Sequence, residues 1–276
     1  MSSKKIIPGI AVSAICKNEA HIIGEFIQQL IDWVEEIIIV DDSSEDQTAQ
    51  IIKEYQSKFP DKITYHLFQK SEKQYLSHLR NFGISLCRSN WILHMDIDER
   101  ISKEFYLELR SIFLEGNSLE AYDAFRFKRL NYFLGKPMNF GDLNLWNKVH
   151  LARKSILKFE GLNHELVQVN TSNTRIGQMR SRMIHLNEPL YIDRIDKSRR
   201  YLNDLVQEIT NKYHKIFGFY FVLLFPILYF LRLYFFKLGL FDGRRGLIWA
   251  IHSGIARFQA CVVIYHDNSI QKGVIK

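Results

Sequence analysis

Short apolar runs alternate with amphipathic stretches over the first hundred residues, and no other feature of the chain restricts its fold as strongly. Gly9–Cys16 and Glu36–Val40 have the length and near-continuous hydrophobicity of strands buried on both faces. Lys62–Phe68 and Trp91–Met95 read as a third and a fourth strand. Between them, Asn18–Trp33 carries Ile22, Ile23, Phe26, Ile27, Leu30 and Ile31 at helical spacing. Asp46 is placed to cap a second helix, bearing Ile51, Ile52 and Tyr55, that stops before Pro60. Tyr75–Cys87 reads as a third helix, and Ser102 caps a fourth that runs through Phe113 with Glu104 and Glu108 early in it. This alternation predicts parallel strands joined by right-handed crossovers, a doubly wound α/β sheet. Ligands of such sheets bind beyond the carboxyl ends of the strands. Three polar clusters fall there: Lys17-Asn18-Glu19, Asp41-Asp42-Ser43-Ser44 and Asp96-Ile97-Asp98-Glu99.

The residues at those ends define the kind of site. No G-x-G-x-x-G comes after the first strand and no G-x-x-x-x-G-K-[ST] occurs, which disfavours a hydride-transfer Rossmann enzyme and a P-loop NTPase. Carboxylates stand where a glycine-rich phosphate cradle would. A diphosphate repels carboxylates unless a divalent cation lies between them, so Asp96 and Asp98 read as ligands of Mg²⁺ or Mn²⁺. In an extended D-x-D both carboxylates project to one side. The competing reading is that Asp98 and Glu99 only begin and cap the next helix. Three widely spaced cysteines, Cys16, Cys87 and Cys261, rule out a disulfide framework or a Cys-based zinc site and fit a reducing compartment.

With these stretches in view, "ICKNEA", "EIIIVDDSSEDQT", "RNFGI", "WILHMDIDERIS", "RLNYFLGK" and "FEGLNHE", the chain resembles the inverting, metal-dependent nucleotide-sugar glycosyltransferases of family 2. Within that family it looks most like the bacterial lipopolysaccharide-core glucosyltransferases. The resemblance covers Ile10 to about Leu190. It implies the GT-A fold, a Rossmann-like mixed sheet flanked by helices, with membrane-associated helices at the C-terminus. It also implies roles. Lys17 and Glu19 would line the nucleoside pocket, with Glu19 near the ribose. Asp41 and Asp42 would face the base, where a carboxylate can accept a hydrogen bond from uracil N3–H. Asp96 would lie near ribose and metal, and Asp98 would be the principal metal ligand on the diphosphate. Arg80, with the matching Asn81, would contact the nucleotide, or else Arg80 is a surface residue.

Inversion by in-line displacement needs a carboxylate to remove the acceptor hydroxyl proton. Between residues 120 and 193 the candidates are Asp123, Asp142, Glu160, Glu165, Glu188 and Asp193. Glu165, after His164 in "LNHE", matches a "VHE" segment of the family, which makes Glu165 the expected base, with His164 orienting it or meeting the diphosphate and Asp142 in reserve. His185 in "MIHLN" matches a histidine that closes over the metal or diphosphate; the alternative is a structural histidine. In "NKVHLAR" the chain departs from the family's Gln-x-Arg-Leu-Phe, with His150 in place of the arginine.

Past residue 120, Asp123–Phe133, Lys148–Arg153 and Leu166–Asn170 read as further strands, Ile176–Leu186 as mixed, and Tyr191–Tyr213 as one polar helix. Charge divides the chain. Residues 1–193 hold 24 Lys/Arg and 25 Asp/Glu, while 194–276 hold 13 and 5, so the +7 net charge belongs to the last third. That third also contains Ile216–Leu231, 16 residues without a charge but short for a span and broken by Pro226. A weaker apolar stretch runs from Leu247 to Tyr265. Basic and aromatic together, these segments read as helices lying on an anionic membrane, not as a nucleic-acid surface. A re-entrant hairpin and a buried helix pair are the alternatives.

The expected organisation is a glycosyltransferase domain over 1–190 and a membrane-associating region over 191–276. The expected partners are a UDP-sugar donor, a lipid-linked glycan acceptor and the inner face of the cytoplasmic membrane, with no nucleic acid. No signal peptide is expected, since Met1–Lys5 is polar and Pro8 and Gly9 interrupt the apolar stretch Ile6–Cys16. A polyprenyl-phosphate glycosyltransferase, a nucleotidyltransferase and a non-catalytic nucleotide-sugar-binding scaffold are the other functions compatible with these residues.

Overall fold

The computed structural model describes residues 6–69, 76–115, 118–143, 147–161, 166–169, 173–213 and 218–271. Chain contacts divide it into two compact units, one made of residues 1–129 and 146–185, the other of 130–145 and 186–276.

The first unit is built on the predicted strands β1 (Ile10–Cys16), β2 (Glu36–Asp41), β3 (Ile63–Leu67) and β4 (Trp91–His94), which lie parallel in the order β3-β2-β1-β4. Every residue of β2 is buried and six of the seven in β1 are, as two-sided burial requires. The period of two sorts side chains between two cores. Ile10, Val12, Ala14 and Cys16 face α1 (Ile23–Leu30), α2 (Thr48–Lys58) and α4 (Lys103–Leu114). Ala11, Ile38 and Val40 join Leu79 and Ile84 of α3 (Leu76–Leu86) in the other core. At Gly83 that second core is as close as backbone allows, because a Cβ there would lie 2.7 Å from Ser13 Oγ and 3.2 Å from Val40 Cγ2. The "RNFGI" glycine is therefore a helix-on-sheet packing requirement.

The sheet continues in antiparallel sense. It runs from β4 to β8 (Asn147–Arg153), β6 (Ala124–Phe133), β11 (Ile176–His185) and the two-residue β5 (Glu99–Arg100). Beside it, β9 (Leu157–Glu160) and β10 (Leu166–Val169) form a separate antiparallel pair. The strands β5 and β9, and β7 (Lys136–Pro137) beside β6, are too short for a hydrophobic period to announce them.

Several boundaries differ from the expectation. The first helix starts at Ile23, because the backbone N–H groups of Asn18, Glu19 and Ala20 are bonded to side chains of the segment after β2. Asp46 is not the cap residue of α2; it accepts from the backbone N–H and the hydroxyl of Thr48, where the helix opens. Ser102 caps α4 as predicted, accepting from Phe105 N. The single helix predicted over 191–213 is two, α6 (Tyr191–Arg200) and α7 (Leu202–Tyr213), interrupted at Tyr201. A four-residue helix, α5 (Ser118–Ala121), precedes β6.

In the second unit α8 (Phe219–Leu231) runs into a widened turn of helix over Arg232–Phe236, and α9 (Gly243–Gln271) returns beside it. Phe219–Phe236 and Gly239–Asp267 are long and apolar enough to cross a bilayer by length and composition. Much of that apolar surface is open: Tyr220, Ile227, Leu228, Phe236 and Phe241 are all more than half exposed.

Candidate active site

The carboxyl ends of β1, β2 and β4 meet at one cleft of about 340 Å³ in the first unit, lined by Lys17, Glu19, Asp42, Arg80, Asp96, Asp98 and His185 among others. The loops that bring them there are tied to one another. Asn18, in the left-handed conformation, donates through its backbone N–H to Ser44 Oγ at 2.9 Å, and its Oδ1 accepts from Glu45 N at 2.8 Å. Glu19 N donates to Thr48 Oγ1 and Ala20 N to Asp46 Oδ2. The "KNE" and "DDSSEDQT" segments thus form one cross-linked rim, held by backbone N–H groups donating to side-chain oxygens of the facing segment.

Asp41 and Asp42, adjacent in sequence, point to different tasks. Asp41 is fully buried; its Oδ1 accepts from Ser44 N and Oγ, and its Oδ2 from Tyr65 Oη at 3.0 Å. Burial and the Asp41 carboxylate push the Tyr65 phenol up to about 12, so it stays a donor. Asp42 lines the cleft, with Lys17 Nζ 3.9 Å from its Oδ2. Glu19 is half-buried, and burial together with the nearby charge of Asp98 raises its carboxyl to about 7.

The D-x-D segment is likewise split. Asp96 Oδ1 lies 3.1 Å from Arg80 Nη1 and Oδ2 lies 2.6 Å from Arg129 Nη2. Arg129 Nε donates to Glu99 Oε1 at 2.5 Å, and Glu99 Oε2 accepts from Asp96 N at 2.9 Å, closing a ring of charge-assisted bonds. Burial alone would raise the Asp96 carboxyl, but the two guanidiniums hold it well below the usual range. Glu99, fully buried, goes the other way, raised by burial to about 7 against the pull of Arg129. Arg80 also touches His94 and lies over the Phe159 ring at 5.2 Å, so it is a buried charge, not a surface one. Burial, then the charge of Arg80, keeps His94 neutral; burial and Arg129 push His150 down to about 3.

Asp98 faces the cleft beside His185, its Oδ2 3.1 Å from His185 Nε2. The β5–β11 pairing sets this contact, since it places His185 opposite Glu99. Among the described residues no three carboxylate, imidazole or thiol groups converge on one point. Asp98 and His185 nonetheless offer one oxygen and one nitrogen ligand together, and Mg²⁺ or Mn²⁺ commonly completes its shell with water and phosphate oxygens. Those two residues fit such an ion, while both oxygens of Asp96 are engaged by arginine.

The remaining expectations divide. Asn81 is turned to β9, its side chain exchanging two hydrogen bonds with the Phe159 backbone at 2.8 and 2.9 Å. The reserve base Asp142, in the second unit, accepts from Trp249 Nε1 at 2.8 Å and Tyr229 Oη at 3.2 Å. Asp123 is paired with Arg153 and Arg175, Glu160 with Lys158, and Glu188 with Arg194 and Lys197, while Asp193 bonds Leu190 N at the start of α6. His164 and Glu165 lie outside the described residues. Arg129 and the buried role of Glu99 were not expected from the sequence. Arg129 sits among other basic residues in "FRFKR", and the signal that could have found it is the strand's period of two, which puts it on the face of the buried Phe127 while Arg126 and Lys128 are exposed.

The sequence model of the family described as glycosyl transferase family 2 matches residues 12–186. The chain is 26% identical over 274 residues to the lipopolysaccharide core biosynthesis glycosyltransferase LpsC of Rhizobium meliloti, covering 96% of each. It is 24% identical to an uncharacterized glycosyltransferase of Rickettsia conorii, covering 99% of this chain and 95% of that one. Among solved structures, the mannosyltransferase PcManGT from Pyrobaculum calidifontis, in complex with GDP-Man and Mn²⁺, superposes with a TM-score of 0.50 at 13% identity, over 93% of this chain and 75% of that one.

Proposed function

The chain belongs to glycosyl transferase family 2 and has the GT-A fold, and from that premise we propose that it moves a hexose, glucose foremost, from UDP to a lipid-linked glycan of the lipopolysaccharide-core type. The observation that carries the reading is the cleft itself, where Asp98 and His185 together face the space a diphosphate would fill while Asp96 is already neutralised by Arg80 and Arg129. The core-glycan acceptor is supported by likeness to LpsC along the whole chain. A nucleotide-sugar donor with a divalent ion agrees with what PcManGT binds. Uracil is supported by Asp42, a carboxylate at the cleft wall able to accept from N3–H.

Asp98 and His185 would hold Mg²⁺ or Mn²⁺, which when bound offsets charge on the diphosphate as it leaves. Lys17 and Arg80 add positive charge to the same wall. Glu19, whose carboxyl is raised, is suited to donate or accept at the ribose hydroxyls. In the transfer, the acceptor hydroxyl oxygen forms a bond to the anomeric carbon on the face opposite the diphosphate. The bond from that carbon to the phosphate oxygen breaks, and its electron pair leaves with UDP. Glu165 takes the hydroxyl proton in this scheme. The engagement of both Asp142 oxygens by Trp249 and Tyr229 supports Glu165 over the reserve candidate.

The basic, aromatic second unit supports an enzyme seated on the inner face of the cytoplasmic membrane, where its acceptor is anchored. We place the domain boundary near residue 190, after which no strand is found among the described residues.

The test is hydrolysis of a panel of nucleotide sugars by the purified chain with Mn²⁺, beside Asp98→Ala. Release of UDP from one sugar, dependent on the metal and lost in the variant, is the expected result. Silence across the panel, together with no binding of UDP in calorimetry with Mn²⁺, would overturn the reading. Glu165→Gln separates acceptors, because loss of transfer indicates a hydroxyl acceptor and retained transfer an already anionic phosphate.

A further inference from the structure

Between α8 and α9 in the second unit runs a groove of about 440 Å³, walled by Leu223, Pro226, Ile227 and Phe230 on one side and Ile251, Gly254, Ile255 and Phe258 on the other. Its walls are almost wholly carbon. Gly254 forms its floor, since a Cβ there would lie 3.2 Å from Pro226 O and 3.6 Å from Phe230 Cβ, so this spot can hold no larger side chain without movement. Ile227, Ile251 and Ile255 remain 56%, 45% and 48% exposed at its lips, an apolar area water would penalise in an uncovered helix pair.

A cluster of charge stands at one end of this groove. Phe219 meets Tyr265, Tyr229 meets Arg257, and Phe230 packs with Trp249 and Ala250, so the two helices are antiparallel and the Phe230 end of the groove is the end nearest the connecting turn. That turn carries Arg232, Lys237, Arg244 and Arg245, and its acidic residue, Asp242, is consumed by the backbone N–H groups of Asn139 and Phe140. Arg232 and Arg244 are exposed. Ile251 lies seven residues past Arg244, roughly 10 Å along the helix. A carbon-walled slot open along its length, with a cationic end within one headgroup's reach, complements an amphiphile with a long chain and an anionic head. A tip-first hairpin is disfavoured by the same charges, which would have to enter the hydrocarbon.

We propose that this groove seats one acyl chain of an anionic membrane phospholipid, with its phosphate at the Arg232/Arg244 end, so that the helix pair lies in the plane of the interface. The inference rests on the membrane seating proposed above but is separable from it, because surface attraction by basic residues alone requires no chain in the groove.

The experiment uses the full chain and two probes. One is extruded vesicles of phosphatidylcholine with and without phosphatidylglycerol, read by flotation. The other is lysophosphatidylglycerol below its micelle concentration, read by calorimetry. The variant is Ile227→Glu/Ile255→Glu, with donor hydrolysis and the thermal midpoint as controls for an intact fold. Wild type is expected to float with the phosphatidylglycerol vesicles and to bind the soluble lipid one to one. The variant should lose the soluble lipid and float at least about tenfold more weakly, with donor hydrolysis unchanged. Arg232→Glu/Arg244→Glu should weaken the anionic lipid but not a neutral single-chain analogue. Vesicle binding undiminished in the groove variant would overturn the inference while leaving membrane seating intact. No vesicle binding by wild type would overturn both. A lipid-free dimer of wild type that the groove variant turns into monomer would assign the groove to a second copy, and also overturns it.

Discussion

Arg129 on β6 reaches Asp96 at the end of β4 with 2.6 Å between Nη2 and Oδ2, across 33 residues of sequence. Its Nε holds Glu99, so one guanidinium lies between a fully buried carboxylate and a part-exposed one that share a turn. Arg129→Ala leaves the buried Glu99 without its cation, beside an Asp96 still paired with Arg80 at 3.1 Å. Breaking a buried pair from one side costs about 3–5 kcal/mol. We expect a loss of that order in denaturant unfolding, with Arg129→Lys recovering part of it and Glu99→Gln removing the uncompensated charge in the alanine background.

The two aspartates of the D-x-D should fail differently. Asp98→Asn removes a cleft-facing ligand and is expected to lower metal-dependent UDP release by about two orders of magnitude or more, with the unfolding midpoint hardly changed. Asp96→Asn leaves Arg80 and Arg129 short of their counter-charge and should lower the midpoint first. Parallel kinetics and melts of the pair check this.

His150 makes acid stability testable. Burial keeps its ring neutral in the folded chain to about pH 3, against 6.5 when free. Its folded value is depressed, so the unfolded chain takes up the proton first as pH falls, and the stability it contributes above pH 6.5 drains away below it. His150→Phe, which suits a site packed by Phe127, Phe159 and the His94 ring, should therefore show a shallower loss of stability between pH 6.5 and 4.5. Equal slopes in urea titrations across that range would refute the assignment. Glu19 has the opposite sign: a carboxyl raised from 4.5 to about 7 makes the fold lose stability as pH rises through that window, and Glu19→Gln should flatten it.

Gly83→Ala puts a methyl group 2.7 Å from Ser13 Oγ and 3.2 Å from Val40 Cγ2. Overpacking of this kind costs about 1–3 kcal/mol. Ser13→Ala removes the crowding oxygen, a buried hydroxyl without a hydrogen-bond partner among the described residues, and should restore much of the loss in a double-mutant cycle.

How far the sequence could be read depended on the range of the interactions involved. The strands β1, β2 and β4 were legible because two-sided burial writes continuous apolar runs into the chain, and their polar ends named the cleft. Neighbouring residues of identical type were not legible. Nothing local tells that Asp41 is spent on Ser44 and Tyr65 while Asp42 faces the cleft, or that Asp96 is held by arginines while Asp98 stands with His185. Asn81, beside Arg80, turned out to latch β9 because that strand, four residues long, leaves no periodic trace.

The α/β alternation, the acidic strand ends, the family motifs and the basic aromatic last third can all be seen in the linear chain, since each arises from local spacing and burial. The assignment of each charged group to structure or to ligand was made only by folding. Arg129 from an antiparallel strand, the β5–β11 pairing that delivers His185, and the groove between α8 and α9 join residues far apart in the chain. Electrostatic partners and packing gaps are properties of distances in space, which a one-dimensional pattern does not carry.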